Sequence, residues 1–330
     1  SRSESPGSGI GEVREMRSAL QLRNHLPAPI LPFDDDYRID EVELRRHIRF
    51  LMASPGLGGV APNGHAGEVS LLSREERKRV LAVVVEEVGG RVPVMAGVVA
   101  ESTWESIQQA RDARETGADA LLVFPPNGFR GGAATTPLIP LAHFSAIAEA
   151  VDLPIVVFQF PLATGLSYTP EVLARLCEIE PVVAVKDGIG DLERYEDDLH
   201  AVRGTGRDIS VLSSNNTLLV PSFLIGADGA LSGLGALAPD LIAEGFDAVQ
   251  AGDMGRARAA NERLFPITRA VYRPPYSCWH VRIKEALVMI DRLERAVVRP
   301  PLVGLPDGER EDLRRALRAS GLLPAQRKEP

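Results

Sequence analysis

The sequence predicts an α/β fold, a (β/α)8 TIM barrel with a C-terminal helical subdomain. Three observations point there: short runs that are apolar on both faces, amphipathic helical patterns between them, and surplus helix after the last run. Doubly apolar strands imply a parallel sheet covered by helices. Eight repeats of the βα unit select a closed barrel over an open doubly wound sheet.

Taken in order, APILPF (28–33) leads to the helical pattern DEVELRRHIRFLMA, and GGVAPN (58–63) to REERKRVLAVVVEEV. VPVMAGV (92–98) leads to STWESIQQARDARETG, followed by ADALLVFP (118–125). LPIVVFQF (153–160) leads to TPEVLARLCEI, and the last three strands are VVAVKD (182–187), DISVLSS (208–214) and GALSG (229–233). Several helices open on Ser, Thr or Asp with acidic residues in the first turn, the chemistry of an N-cap and a favourable helix dipole. Beyond the eighth strand, LAPDLIAEGFDAVQAGD, MGRARAANERLFPITRAVYR, SCWHVRIKEALVMIDRL and EREDLRRALRAS read as further helices. The organisation is therefore a flexible N-terminal extension (1–25), a barrel (26–240) and a helical subdomain (241–330).

Composition narrows the function. The 330 residues are 45% hydrophobic and 25% charged, as in an ordinary soluble globular protein. A net charge of −8 with no lysine- and arginine-rich run argues against a nucleic-acid partner. No apolar stretch approaches the ~18 residues of a membrane span, so no membrane partner is expected. The opening SRSESPGSGIGEVREMRSAL lacks the apolar centre of a signal peptide. Cys177 and Cys278 have no CxxC spacing and read as buried thiols, which suits a reducing cytoplasm. No GxGxxG follows the first strand, which leaves a dinucleotide site unsupported. His25, His47, His143, His200 and His280 lie in the leader or on helices without i,i+4 or HExxH spacing, so no metal is expected. Trp104 and Trp279 read as helix-packing residues, and PPYSCW (274–279) as the turn into a C-terminal helix.

In such a barrel the chemistry sits where the strands end, which singles out Asn63-Gly64-His65, Pro125-Pro126-Asn127, Phe158-Gln159-Phe160, Lys186-Asp187, Ser213-Ser214-Asn215 and Ser232-Gly233. Lys186 is the unusual one. Lysine is almost never fully buried unless paired or put to work. Desolvation at a barrel mouth lowers its pKa and leaves a neutral amine able to attack a carbonyl. From position alone, that role and a structural ion pair with Asp187 or a neighbouring carboxylate are equal alternatives.

The surrounding motifs resemble a known family. NGHAGEVSLLSREER (63–77) is similar to the GxxGE segment and following helix start of the dihydrodipicolinate synthase and N-acetylneuraminate lyase superfamily. FQFPLATG (158–165) resembles its YNxPxxTG, VVAVKDGIGDLER (182–194) its xxGIKExxGDxxR, and GADGALSG (226–233) its eighth-strand GxxGxIS. The likeness covers roughly residues 26–323, and the 28 residues from Phe158 to Lys186 match the family's step from tyrosine to Schiff-base lysine. The resemblance implies that Lys186 forms an imine with pyruvate or another 2-oxo acid and that no separate cofactor is needed. It also implies a homo-oligomer, a dimer or a tetramer.

The sequence departs from that pattern at several positions. Phe158 stands where the family's proton-shuttling tyrosine does, His65 and Ala66 replace the two hydroxyl residues of GxxGE, and Asn127 occupies the place of a tyrosine that reaches the neighbouring subunit. Ala163 takes the place of the arginine that marks true dihydrodipicolinate synthases, so that activity is not expected. The expectation is an aldolase or dehydratase with Lys186 as nucleophile and His65 as acid/base. Ala66 and Gly67 would form a backbone cradle for the carboxylate, as a glycine-containing turn leading into a helix can. Phe158 would be an apolar wall, with Asn127, Ser214 and Gly233 also contacting substrate. Gln159, Asn215, Tyr168 and Arg130 are further polar candidates, whereas Glu68 reads as tying down its own loop. The rival expectation is a keto-acid-binding or regulatory protein without turnover.

Overall fold

Short runs of β-branched and aliphatic residues form seven parallel strands in a computed structural model of the protein, which describes residues 20 and 22–324. They are β1 (Asn24–Pro27), β2 (Met95–Val98), β3 (Ala120–Val123), β4 (Ile155–Gln159), β5 (Val182–Asp187), β6 (Ser210–Ser213) and β7 (Gly229–Ser232). Their order is β1-β7-β6-β5-β4-β3-β2. The expected second strand closes the ring between β1 and β2 without forming a continuous ladder. It makes single bridges, His25 with Leu57 and Val60 with Val94. Gly58 donates to the His25 carbonyl (2.9 Å), Ala61 to Pro27 (3.0 Å), and Met95 to Val60 (2.8 Å). Pro62 has no N–H to donate, and a Cβ on Gly58 would lie 1.9 Å from the Arg23 carbonyl oxygen, so pairing is thinned here. The result is an eight-position barrel.

The first strand differs from the expected span. It occupies 24–27, overlapping the last two residues of the segment read as an extension, whereas the apolar run 28–33 follows it. Pro29 and Pro32 interrupt ladder donors in that run, and Ile30, Leu31 and Phe33 are buried by packing instead. Residues 1–19 and 21, the rest of the expected extension, lie outside the described residues.

Four helices appear where the patterns place them, α1 (Glu41–Met52), α2 (Arg74–Val88), α3 (Thr103–Thr116) and α5 (Pro170–Cys177), and the structure adds α4 (Leu138–Ala150), α6 (Leu192–Gly204) and α7 (Leu219–Leu224). Asp40, Ser102, Thr169 and Asp191 each accept a backbone N–H at their helix start, and Ser73 with Glu76 forms a reciprocal capping box on α2. Then come α8 (Pro239–Gln250), α9 (Met254–Val271), α10 (Trp279–Met289) and α11 (Asp307–Ala319). Among the described residues, no helix is long and apolar enough to cross a membrane.

Side-chain alternation divides the strands between two compartments. On β5, Ala184 and Lys186 share one face and Val183, Val185 and Asp187 the other. The second set meets the helix layer.

Candidate active site

Lys186 is 4% exposed and projects into the barrel mouth. There it lines a cavity of about 220 Å³ together with Ala28, His65, Ala66, Phe158 and Trp279. Its Nζ sits 4.0 Å from the centre of the Phe158 ring. Phe158 is its directly paired neighbour on β4. Burial lowers the pKa of the amine from 10.5 to about 7, with no opposing charge to restore it. A substantial fraction is therefore unprotonated near neutral pH.

The ion-pair alternative does not survive this geometry. Asp187 is one residue along the strand, so it points the other way, into the helix layer, where its Oδ1 accepts from Ile189 N–H (2.9 Å). Burial, and then the charge of Asp198 on α6, hold the Asp187 carboxyl well above the usual carboxylate range. Asp198 has the better support as an anion, accepting from Gln159 Nε2 (2.7 Å) and Arg194 Nε (3.0 Å). The same alternation removes Gln159 from the cavity wall. Its amide clasps the backbone of Tyr168, donating to the carbonyl (2.9 Å) and accepting from the N–H (2.8 Å).

His65 faces the cavity from a short turn, His65–Gly67, at the end of the 57–63 segment. In ring order that segment lies opposite β5. Although exposed to the cavity, the imidazole is enclosed by Phe124, Phe160 and Phe158 at 4.9, 5.4 and 6.0 Å between ring centres. This desolvation, with the nearby Lys186 and His280 charges, keeps its pKa below the ordinary value, and the ring is neutral at pH 7. The turn is held from two directions. His280 Nε2 lies 2.7 Å from the His65 carbonyl. Glu68 is fully buried against Lys284 (2.5 Å) and accepts the Arg299 N–H (3.1 Å), joining the loop to the C-terminal helices.

The other residues singled out by the sequence divide into two groups. Ala66, Ser214 and Gly233 line the cavity with Lys186, His65 and Phe158. Gly67 N–H instead closes its turn onto the Gly64 carbonyl (3.1 Å). Asn127 is exposed and occupied by Glu101, donating from Nδ2 (2.6 Å) and from its backbone (3.1 Å). Asn215 is buried and accepts Gly190 N–H (2.6 Å), Tyr168 is buried in the core, and Arg130 is exposed.

Some placements correct the sequence reading. Trp104 is 70% exposed rather than packed between helices. Trp279 lines the cavity. His25 is buried on β1, not in a leader, and burial lowers its pKa to about 4. Cys177 is buried, whereas Cys278 is only half-buried; both are free thiols.

Phe160, singled out at the end of its strand, also lines the cavity, whereas Thr164 and Tyr272 are among the lining residues that escaped sequence reasoning. Thr164 lies within the FQFPLATG motif, which was a usable signal. Tyr272 follows α9 in the C-terminal subdomain and had no such signal.

Together these features make a mostly apolar cavity with a deprotonatable amine on one side and a neutral imidazole on the other. Such a cavity can carry out nucleophilic addition to a carbonyl followed by proton transfer. The profile of the dihydrodipicolinate synthetase family matches residues 21–320 of this chain. The chain belongs to that family. Like the family's other members, it is a lyase of the class I aldolase type. A 4-hydroxy-tetrahydrodipicolinate synthase of Methanopyrus kandleri is 36% identical over 307 residues, covering 92% of this chain and 98% of the relative. An uncharacterized DapA-like lyase of Halobacterium salinarum is 34% identical over 320 residues, covering 96% and 98% of the two chains. Among solved structures, a prophage protein of the dihydrodipicolinic acid synthase family from E. coli K12, in complex with pyruvate, aligns with a TM-score of 0.84. It is 27% identical and covers 91% of this chain and 99% of its own.

Proposed function

We propose that this family member is a Schiff-base-forming lyase in which Lys186 condenses with the keto group of pyruvate or a larger 2-oxo acid. The observation that carries the reading is the desolvated, unpaired amine at the cavity wall, with a pKa lowered to about 7. The lone pair on Nζ adds to C2 of the keto acid. Loss of the former keto oxygen as water leaves a protonated imine, and this withdraws electrons from the adjacent carbons.

His65 is the acid/base in this scheme, starting as the neutral base. In an aldol cleavage it takes the proton of the C4 hydroxyl as the C3–C4 bond breaks, and the released electron pair flows into the imine to give an enamine. Returning that proton to C3 and adding water across the imine frees the product and Lys186. In a dehydration the same base removes the C3 proton to give the enamine and returns it to the β-hydroxyl, which departs as water, and hydrolysis of the imine then frees the product and Lys186. Aldol addition runs the first sequence in reverse.

Ala66 offers a backbone N–H to the substrate carboxylate in this reading, supported by its place in the cavity wall, whereas the Gly67 N–H is taken by the Gly64 carbonyl. Ser214 and Gly233 shape the same wall, and Phe158 is an apolar surface with no hydroxyl to move protons. Exposed Ala163 offers no cation for a second substrate's carboxylate, so the reaction differs from that of a dihydrodipicolinate synthase. Exposed Leu138, Ile139 and Tyr276 are apolar surface suited to assembly as a dimer or tetramer.

Intact-mass analysis after incubation with borohydride and a panel of 2-oxo acids, followed by peptide mapping, tests the reading. An adduct on Lys186 is expected with at least one keto acid and is lost in Lys186→Ala. An adduct that persists in Lys186→Ala at another residue, or none with any acid, refutes it.

A further inference from the structure

Tyr272 lies just beyond α9 and contributes to the same cavity wall. Its ring packs 5.7 Å from that of Trp279. Its hydroxyl stands over the end of β7, where a Cβ placed on Gly233 would come within 3.2 Å of it. The backbone on both sides is fixed by buried Arg282, whose Nη1 donates to the carbonyls of Val271 (3.2 Å), Arg273 (2.6 Å) and Pro275 (3.3 Å). The phenol is therefore held in place before any ligand arrives.

That phenolic oxygen is buried and has no hydrogen-bond partner among the described residues. Tyr168 and Tyr195 share this property, but both are core residues outside the cavity lining. A buried polar group without a partner is uncommon, and one on a cavity wall is satisfied by what enters the cavity. Two neighbouring polar side chains are already used. Thr164 Oγ1 donates to the Pro161 carbonyl (2.6 Å), and Asn216 donates to the Ser214 carbonyl (3.0 Å) while accepting from Ser232 (2.8 Å). Among the described residues, no arginine lines the cavity. Burial pushes the Tyr272 phenol above its ordinary pKa, so it remains a donor and presents no negative charge.

A 2-oxo acid bound through C2 presents its carboxylate as the strongest available acceptor. β5 and β7 are two strand spacings apart, roughly 10 Å, a gap that the Lys186 side chain and a short keto acid can bridge. We propose that Tyr272 donates its phenolic hydrogen to the carboxylate of the bound 2-oxo acid, as a substrate-binding residue that selects acids over uncharged ketones. This rests on the imine reading above and adds to it a specificity contact supplied by the C-terminal helices.

The test is calorimetric titration of the full chain and of Tyr272→Phe with pyruvate and with its neutral methyl ester, repeated in a Lys186→Ala background. Circular dichroism checks that the folds match. Loss of a hydrogen bond to a charged group predicts that Tyr272→Phe weakens pyruvate binding by about tenfold or more in both backgrounds, with the ester changing less than about threefold. Pyruvate binding within about threefold of the unsubstituted chain, or an ester weakened as much as the acid, overturns the proposal. Failure of the imine reading gives a different signature: no borohydride adduct on Lys186 while the Tyr272→Phe effect on pyruvate binding persists.

Discussion

Replacing Lys186 with methionine should make the protein more stable and inactive. The unfolded chain holds the lysine proton up to about 10.5, whereas the folded chain releases it at about 7 because of burial. Between those values the unfolded state binds more protons, so the contribution of this group to stability rises with pH. Below about 7 the folded state bears the full penalty. At ~1.36 kcal/mol per tenfold difference in proton affinity, the penalty is about 4 kcal/mol at pH 7 and about 2 kcal/mol at pH 9. Methionine has nearly the same length, can lie on the Phe158 ring, and carries no charge to desolvate. Urea unfolding of both chains at pH 7 and pH 9 measures the difference. The expected gain for Lys186→Met is up to about 4 kcal/mol at pH 7, shrinking by about half at pH 9. A gain of zero, or one that does not change with pH, would mean that the ammonium is solvated or paired, and the desolvation argument for a reactive amine would fail.

Two further substitutions test the loop opposite the lysine. His65→Ala should lower turnover by ~10²–10⁴ while the borohydride adduct on Lys186 persists, and unchanged turnover would remove His65 from the chemistry. Glu68→Gln should cost on the order of 3–5 kcal/mol in urea unfolding because it leaves buried Lys284 without its counter-charge. The double substitution Glu68→Leu/Lys284→Leu should recover most of that loss; a Glu68→Gln chain within about 1 kcal/mol of the unsubstituted one would show that the pair contributes little.

Lys186 was legible because an apolar run ending in a cationic residue conflicts with the cost of burying charge. The choice between nucleophile and ion pair was also open to decision from sequence, since adjacent strand residues point to opposite faces and Lys186 and Asp187 cannot share a compartment. Asn127 and Gln159 were harder. Both follow apolar runs, but Glu101 captures one and the helix-facing side of β4 takes the other. The GGVAPN segment occupied its expected place in the ring, although glycine and proline reduced its ladder to bridges.

By itself the sequence determined the barrel, the helix starts and the lysine at the end of β5, because strand alternation, helix periodicity and cap chemistry all act over a few residues. It also determined the phenylalanine beside that lysine, a register neighbour on β4. Only the tertiary structure decided what else reaches the cavity. Tyr272 and Trp279 come from helices that follow the last strand, and His280 and Lys284 fasten the His65 loop from the same subdomain. These contacts join residues more than 200 positions apart, as between His65 and His280. No local period encodes such a meeting; it arises when the C-terminal helices bury their apolar faces against the closed barrel.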